Sequence, residues 1–407
     1  MKKRDFIKTG LISLGASTIA LTGCNNKENN IKTTQDNDAI IPKQTGTYEF
    51  SCPLPFDYKT IDDISALNSK LKKSKVVTLF NSVPLPLVDN FNSFIQVNRN
   101  SNPDIKTFND FGKYVKYAQN NGFQFTYLMN SPKVFSKEDF LSFKDEFLYL
   151  IDYLKKIGVK NIKVGNTQVC SLLQEYAPNE FTLSASTCFE YHNISQYRHL
   201  FGKYANFNIA DMSVDENKNF QLLKSMRKTF PNIKVELMIN EACIKGCPAR
   251  VAHLDGDLDF QFKCSDLIKI NGFYNFLLKT NVIYPWTLKY YSAIGINNFK
   301  YVHNFFDKGN FDISGLSMYL SYIENETKDI DLRDFFNSIF NNDYIRIYDT
   351  RLNIPKNKYI LKLSELKNYF PDINYFVKNG HNCTGKCGVD CFYCDECAKK
   401  LEKFINS

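Results

Sequence analysis

The sequence predicts an α/β fold, a (β/α)8 TIM-barrel-like domain followed by a small cysteine-rich C-terminal segment, from three observations. Apolar runs of strand length alternate with longer helical patterns from Tyr48 onward. Strands beginning near Lys160, Phe181, Phe207 and Ile233 start 21, 26 and 26 residues apart, which leaves room for one helix and two short loops in each interval, with no hairpin signal between them. No Gly-rich dinucleotide fingerprint follows any of these strands, and this sets a closed barrel ahead of an open doubly wound nucleotide-binding sheet.

Taken in order, residues 1–23 read as a cleavable leader: a basic cluster, then an uncharged run from Thr9 to Gly23 too short for a permanent membrane helix. Leu21-Thr22-Gly23-Cys24 looks like a bacterial lipobox, in which small residues admit the lipoprotein peptidase and Cys24 carries diacylglycerol; a buried free cysteine is the alternative. Lys3-Arg4-Asp5-Phe6-Ile7-Lys8 resembles the twin-arginine export motif with Lys in place of the first Arg, and the unfolded-chain route competes with it. Together these signals predict a lipid-anchored protein on the periplasmic side of a bacterial envelope. Residues 24–46 are polar, as suits a flexible tether.

The barrel is predicted over residues 47–310. An early strand falls near Tyr48 to Cys52, others at Val76–Phe80, at Phe123–Met129 after the helix-like FGKYVKYAQNNG, and at Asn298–Val302. Between Phe140 and Ile157 apolar residues fall at 140, 143, 147, 150, 151, 154 and 157, the spacing of one helix face, and Gly158 stops that helix. About eight strand-helix units fit. Residues 311–378 follow as an α/β extension, and 379–407 as the cysteine-rich tail.

Of 407 residues, 43% are apolar and 23% charged, which excludes a disordered chain or a polytopic membrane protein. The net charge of +8 shrinks once the basic leader is set aside, leaving 47 basic and 42 acidic side chains, too even a mixture for a nucleic-acid partner. The 59 Tyr and Phe follow strand and helix periods and read as core rather than a base-stacking surface. The expected partners are a membrane, through the anchor, and a small-molecule or peptide substrate of unknown identity.

The cysteines carry the chemistry. Eleven remain after Cys24, an odd number that does not suit a purely disulfide-bonded exported protein. One cluster, Cys243-x3-Cys247 with Cys264 seventeen residues on, follows a strand, where a barrel builds its sites. A three-residue gap lets two thiolates reach one metal centre, and thiolates favour iron-sulfur clusters or zinc. The second cluster, Cys383, Cys387, Cys391, Cys394 and Cys397, packs five cysteines into fifteen residues; iron-sulfur ligation, a zinc knot and disulfides all accommodate it. Cys387-x3-Cys391-x2-Cys394 has the spacing of a radical S-adenosylmethionine loop, but that loop follows the first barrel strand, and only thirteen residues follow Cys394. The two clusters together supply enough cysteines for two four-cysteine sites if the tail folds back over the barrel mouth. Cys52, Cys170 and Cys188 read as small buried hydrophobes.

The stretch Glu236 to His253, with Cys264, resembles the collagenase-like peptidase family, peptidase family U-32, in its iron-sulfur branch. The carrying features are the strand ending Glu236-Leu237, the Ala242-Cys243 step, the Cys247-Pro248-x-Arg250 turn, Cys264, and downstream Pro285-Trp286 and Gly295-Ile296-x-x-Phe299-Lys300. The gap between Cys243 and Cys247 is shorter than in the peptidase-type signature. The resemblance implies a (β/α)8-like barrel and a four-iron four-sulfur cluster, one or two in number, with Cys243, Cys247 and Cys264 as ligands. It also implies oxygen-independent hydroxylation, redox chemistry or a peptidase label. No HExxH or GxSxG motif supports hydrolysis, so redox chemistry is the expected function. A non-enzymatic envelope binding protein with disulfides or structural zinc is the rival.

Three further residues are candidates for catalysis. Arg250 suits an anionic substrate group or an ion pair with Glu241, His253 suits proton movement or a helix cap, and Glu241 suits acid-base work near a cluster. Glu236 suits the same work or a salt bridge. His192, His199 and His303 read as structural.

Overall fold

The computed structural model describes residues 46–54, 57–83, 105–241, 243–247, 250, 278–302, 313–325 and 391–406. The strands are β1 (Tyr48–Pro53), β2 (Ser74–Asn81), β3 (Gln124–Met129), β4 (Asn161–Val164), β5 (Thr182–Ala185), β6 (Phe207–Asp211), β7 (Lys234–Met238) and β8 (Asn298–Lys300). Each pairs in parallel with the next, and β8 closes on β1 through Glu49 with Asn298, Phe50 with Phe299 and Ser51 with Lys300. This is the (β/α)8 barrel that the strand spacing predicts. A closed barrel has no sheet edge to leave unpaired, and its functional side chains gather at the carboxyl ends of the strands.

The helices between the strands are α1 (Tyr58–Asn68), α2 (Phe108–Asn120), α3 (Lys137–Lys156), α4 (Thr167–Tyr176), α5 (Ile194–Lys203), α6 (Phe220–Thr229) and α7 (Leu288–Ser292), and α8 (Ile313–Glu324) follows β8. Local chemistry sets their ends. Ser136 and Asp139 form a capping box at the start of α3, with Glu138 and Asp139 in its first turn and Lys155 and Lys156 in its last, each charge opposite to the helix dipole. The α3 face predicted from spacing is the buried one, with Phe140, Phe143, Phe147, Leu150, Ile151 and Leu154 against the barrel. Each such side chain contributes about 1.5–3 kcal/mol of burial. Gly158, at φ 80°, takes the left-handed turn that ends the helix.

Helix α8 buries Leu316, Tyr319, Leu320 and Ile323 in the same apolar core as the barrel. At its end the Glu324 carboxylate accepts from the backbone N–H groups of Lys72, Lys73 and Ser74 at 2.9–3.0 Å and from Ser74 Oγ at 2.9 Å, so it pins α8 to the start of β2. Tyr319 Oη donates to Ile283 O at 2.7 Å on the other side. The tail contributes helix α9 (Tyr393–Asn406), whose Cys397, Ala398 and Leu401 are buried in the same apolar core. Lys279 Nζ lies 2.8 Å from Asp395 Oδ1, which ties α9 to the segment running back from the β7 loop. Among the described residues no helix is long and apolar enough to cross a membrane.

Candidate functional site: an ionic floor under a cysteine-bearing rim

Charged side chains fill the barrel interior where apolar ones are the rule. Lys163 on β4, Asp211 at the end of β6, Glu236 on β7 and Lys300 at the end of β8 are each 3–6% exposed. Lys163 Nζ donates to Asp211 Oδ1 and Oδ2, both at 2.7 Å, and to Glu236 Oε2 at 2.6 Å. Lys300 Nζ donates to Asp211 Oδ2 at 3.1 Å and lies 4.6 Å from the centre of the Phe80 ring. Ser51 Oγ donates to Glu236 Oε1 at 2.8 Å. Burying one charge costs several kcal/mol, and two cations against two carboxylates is the arrangement that offsets it.

The two carboxyls are not equivalent. Burial raises Asp211 to about 6, against the opposing pull of Lys163 and Lys300. Burial acts on Glu236 too, but Lys163, a hydrogen bond from Asp211 and Lys300 outweigh it and hold Glu236 at about 2. Burial lowers Lys300, helped by the like charge of Lys163. Burial also acts against the Lys163 cation, but Asp211 and Glu236 more than compensate and raise its pKa.

Three loops at the carboxyl ends form the rim. After β5, a short 3-10 turn (Thr187–Phe189) carries Cys188 and ends at Glu190, which has a left-handed backbone at φ 48°, ψ 46°. After β6 come Ser213, Asp215, Glu216 and Asn217; after β7 come Glu241, Cys243, Lys245, Cys247 and Arg250. Glu190 ties two loops together, accepting from Arg250 Nε at 2.8 Å and from Ser213 Oγ at 2.9 Å. Asp215 fixes the cysteine loop by accepting from Gly246 N at 2.8 Å and from Asn281 Nδ2 at 3.1 Å. Asn281 N in turn donates to Cys243 O at 3.0 Å. His192 Nδ1 lies 3.0 Å from Glu216 Oε1, and Asn219 Nδ2 donates to Glu216 Oε2 at 2.6 Å.

Cys243 and Cys247 are brought together, their thiols sharing a hydrogen bond. That contact, then burial and Glu241, hold the Cys243 thiol well above its ordinary pKa, with Arg250 opposing. The donor set fits half of a four-thiolate centre, since two soft sulfurs meet at the face where a barrel binds its ligands. Among the described residues no three His, Cys, Asp or Glu side chains converge on a metal-sized centre. Cys264, His253, Cys383, Cys387 and Cys24 lie outside the described residues. Of the tail cysteines, Cys397 lies in the apolar core, Cys394 packs on that core near Tyr284, and Cys391 is half-buried.

Other candidates fall differently from the sequence reading. Arg250 makes its hydrogen-bonded pair with Glu190 rather than with Glu241, which attracts it by charge without an ion-pair contact. Glu241 accepts from Cys243 N at 3.2 Å, a brace within the cysteine loop. Glu236 takes the salt bridge. His192, expected to be structural, sits between Glu190 and Glu216 on the rim. Cys52 and Cys170 are fully buried as expected, whereas Cys188, although buried, has Lys300, Glu190 and Arg250 as charged neighbours. The floor residues Lys163, Asp211 and Lys300 are not among the candidate site residues that the sequence offers. Their signal was a charge inside an apolar strand run, in Ile162-Lys163-Val164, at Ala210-Asp211-Met212 and in Phe299-Lys300-Tyr301.

No family model matches the chain, and no curated protein sequence does. Several solved structures are similar in shape. A U32 peptidase shares 13% identity over 52% of this chain and 77% of its own, with a TM-score of 0.37. A Clostridium difficile protein, CdNal, solved with mannosamine, shares 11% over 88% and 99%, with a TM-score of 0.34. A D-psicose 3-epimerase from Clostridium cellulolyticum shares 13% over 74% and 99%, also at 0.34. The barrel assignment rests on the strand register.

Proposed function

We propose that this chain is an exported, lipid-anchored barrel enzyme that holds an iron-sulfur cluster at the carboxyl face of its barrel and performs redox or oxygen-independent hydroxylation chemistry on a small molecule. The observation that carries the reading is the Cys243–Cys247 thiol contact in the loop after β7, above a buried, charge-balanced floor. Cys243 and Cys247 would ligate the cluster, with Cys264 implied by resemblance as a third ligand. A bound cluster supplies one-electron transfer at potentials that its protein surroundings adjust.

The chain's own groups fit such a site. His192 Nδ1–H donates a hydrogen bond to Glu216 and so leaves Nε2, 3.9 Å from Glu190 Oε2, as the atom that takes or gives a proton. The hydrogen bond that His192 donates to Glu216 raises the His192 pKa, ahead of the lowering effect of burial. Lys163 and Lys300 keep Asp211 and Glu236 charge-balanced beneath the reacting groups, and the Arg250–Glu190 pair closes the rim.

Anaerobic purification of the full chain with iron and acid-labile sulfide analysis tests the reading. Iron and sulfide in matching amounts, with absorbance near ~400 nm, are expected. Stoichiometric zinc without iron, or a Cys243–Cys247 disulfide in the purified protein, overturns it in favour of a structural envelope protein.

A further inference from the structure

The loop after β7 holds a donor that no described group accepts. Arg250 is 4% exposed, and although its Nε donates to Glu190 at 2.8 Å, its Nη1 is fully buried with no hydrogen-bond partner among the described residues. Buried guanidinium donors are normally satisfied, because leaving one unpaired forfeits its hydration without return. The side chain is also well fixed. Arg250 N donates to Cys247 O at 3.2 Å, which ties the residue to the turn that presents the second thiol. Glu190, which grips the guanidinium, is held by Ser213 and keeps a left-handed backbone that a residue with a Cβ adopts only when its surroundings impose it. The guanidinium attracts the Cys243 sulfur by charge, as it does the carboxylates of Glu241 and Glu190.

We infer that Arg250 is a positioning residue whose Nη1 donates to the sulfur-ligated centre held by Cys243 and Cys247, and that this contact sets the centre's reduction potential. The inference rests on the cluster reading above. Donors directed at cluster sulfurs stabilise the more negative, reduced state and so raise the potential. Glu190 offsets most of the guanidinium charge, which makes the effect one of a directed N–H group more than of a free cation. Lys at this position keeps the charge and loses the planar fork that Glu190 holds in place.

The test is a reductive titration of the anaerobically purified full chain, with electron paramagnetic resonance of the reduced cluster reading the midpoint. Arg250→Gln is expected to titrate at a more negative potential than wild type with unchanged iron and sulfide content, and Arg250→Lys to shift the same way by a smaller amount. A wild-type midpoint in fully loaded Arg250→Gln, or in Arg250→Lys should the Gln variant not fold, overturns the donor role and leaves the cluster reading standing. A wild-type chain without iron overturns the cluster reading, and the donor role with it.

Discussion

Lys163 on β4 and Asp211 on β6 meet across the barrel interior with the ammonium 2.7 Å from both carboxylate oxygens, their side chains 4% and 3% exposed. Removing one member of such a pair leaves the other charge buried without its partner. Lys163→Met is therefore expected to destabilise the fold by about 3–5 kcal/mol, read as a lower urea midpoint by circular dichroism. Adding Asp211→Asn to that variant removes the stranded charge and is expected to restore part of the loss. If the double variant is less stable than Lys163→Met by the full cost of a second independent lesion, the two residues are not energetically paired.

The same floor predicts a pH signature. Burial raises Asp211 from 3.8 to about 6, so between those values the folded protein binds a proton that the unfolded chain does not. Its contribution to stability thus falls as pH rises from about 4 through 6, by about 3 kcal/mol in total. Glu236, whose burial is outweighed by Lys163, has the opposite sign: its contribution is present above 4.5 and is lost as pH falls toward about 2. Relative to Asp211→Asn, wild type should be more stable at pH 4 than at pH 6.5. A stability difference that stays flat across this window in urea titrations would place the proton elsewhere.

Glu324 serves the fold from outside the site. Its carboxylate takes three successive backbone N–H groups of residues 72–74. These bonds lower its pKa against the raising effect of burial. Glu324→Ala is expected to cost about 1–2 kcal/mol and to loosen the contact between α8 and β2, seen as faster amide exchange at Lys73 and Ser74. Unchanged exchange at both amides would mean that α8 is held by its apolar face alone.

What the sequence revealed and what it concealed divide along physical lines. Strand spacing and the α3 stripe predicted the barrel, because parallel strands with crossover helices leave a repeat of fixed size and a helix facing a barrel leaves a period. Lys163 and Lys300 were hidden, because a charge in an apolar strand run becomes meaningful only when closure brings β4, β6, β7 and β8 to one interior. Glu190 and His192 were hidden for a related reason: their partners Arg250 and Glu216 come from loops after other strands. The Cys243–Cys247 pair was legible because both partners sit in one loop.

The leader and the cofactor reading make a joint prediction. Clusters are assembled in the cytoplasm, so a cluster-bearing envelope protein needs a route that carries folded chains, and Lys3-Arg4-x-Phe6-Ile7-Lys8 is a leader such a route could read. Arg4→Lys is expected to abolish export and leave folded, iron-loaded precursor inside the cell. Cys24→Ala is expected to block lipidation with the barrel intact. Cell fractionation with palmitate labelling reads both, and export of Arg4→Lys at the wild-type level would separate the leader from the cofactor.

The cysteines should sort by environment. Cys170 is fully buried, with its thiol on Asn166 O at 3.3 Å, and burial pushes its pKa up to about 12, which is the setting of an inert packing group. Cys243 and Cys247 are half-buried and in contact at the carboxyl face, within reach of Arg250. Cys243→Ser and Cys247→Ser are therefore each expected to lose most of the bound iron while keeping the wild-type circular dichroism spectrum, because serine preserves the shape and removes the soft ligand. Cys170→Ser should keep its iron and lose stability instead, since a hydroxyl is more costly than a thiol to bury in that position. Iron content that stays at the wild-type level in both loop variants would move the cluster to the tail cysteines.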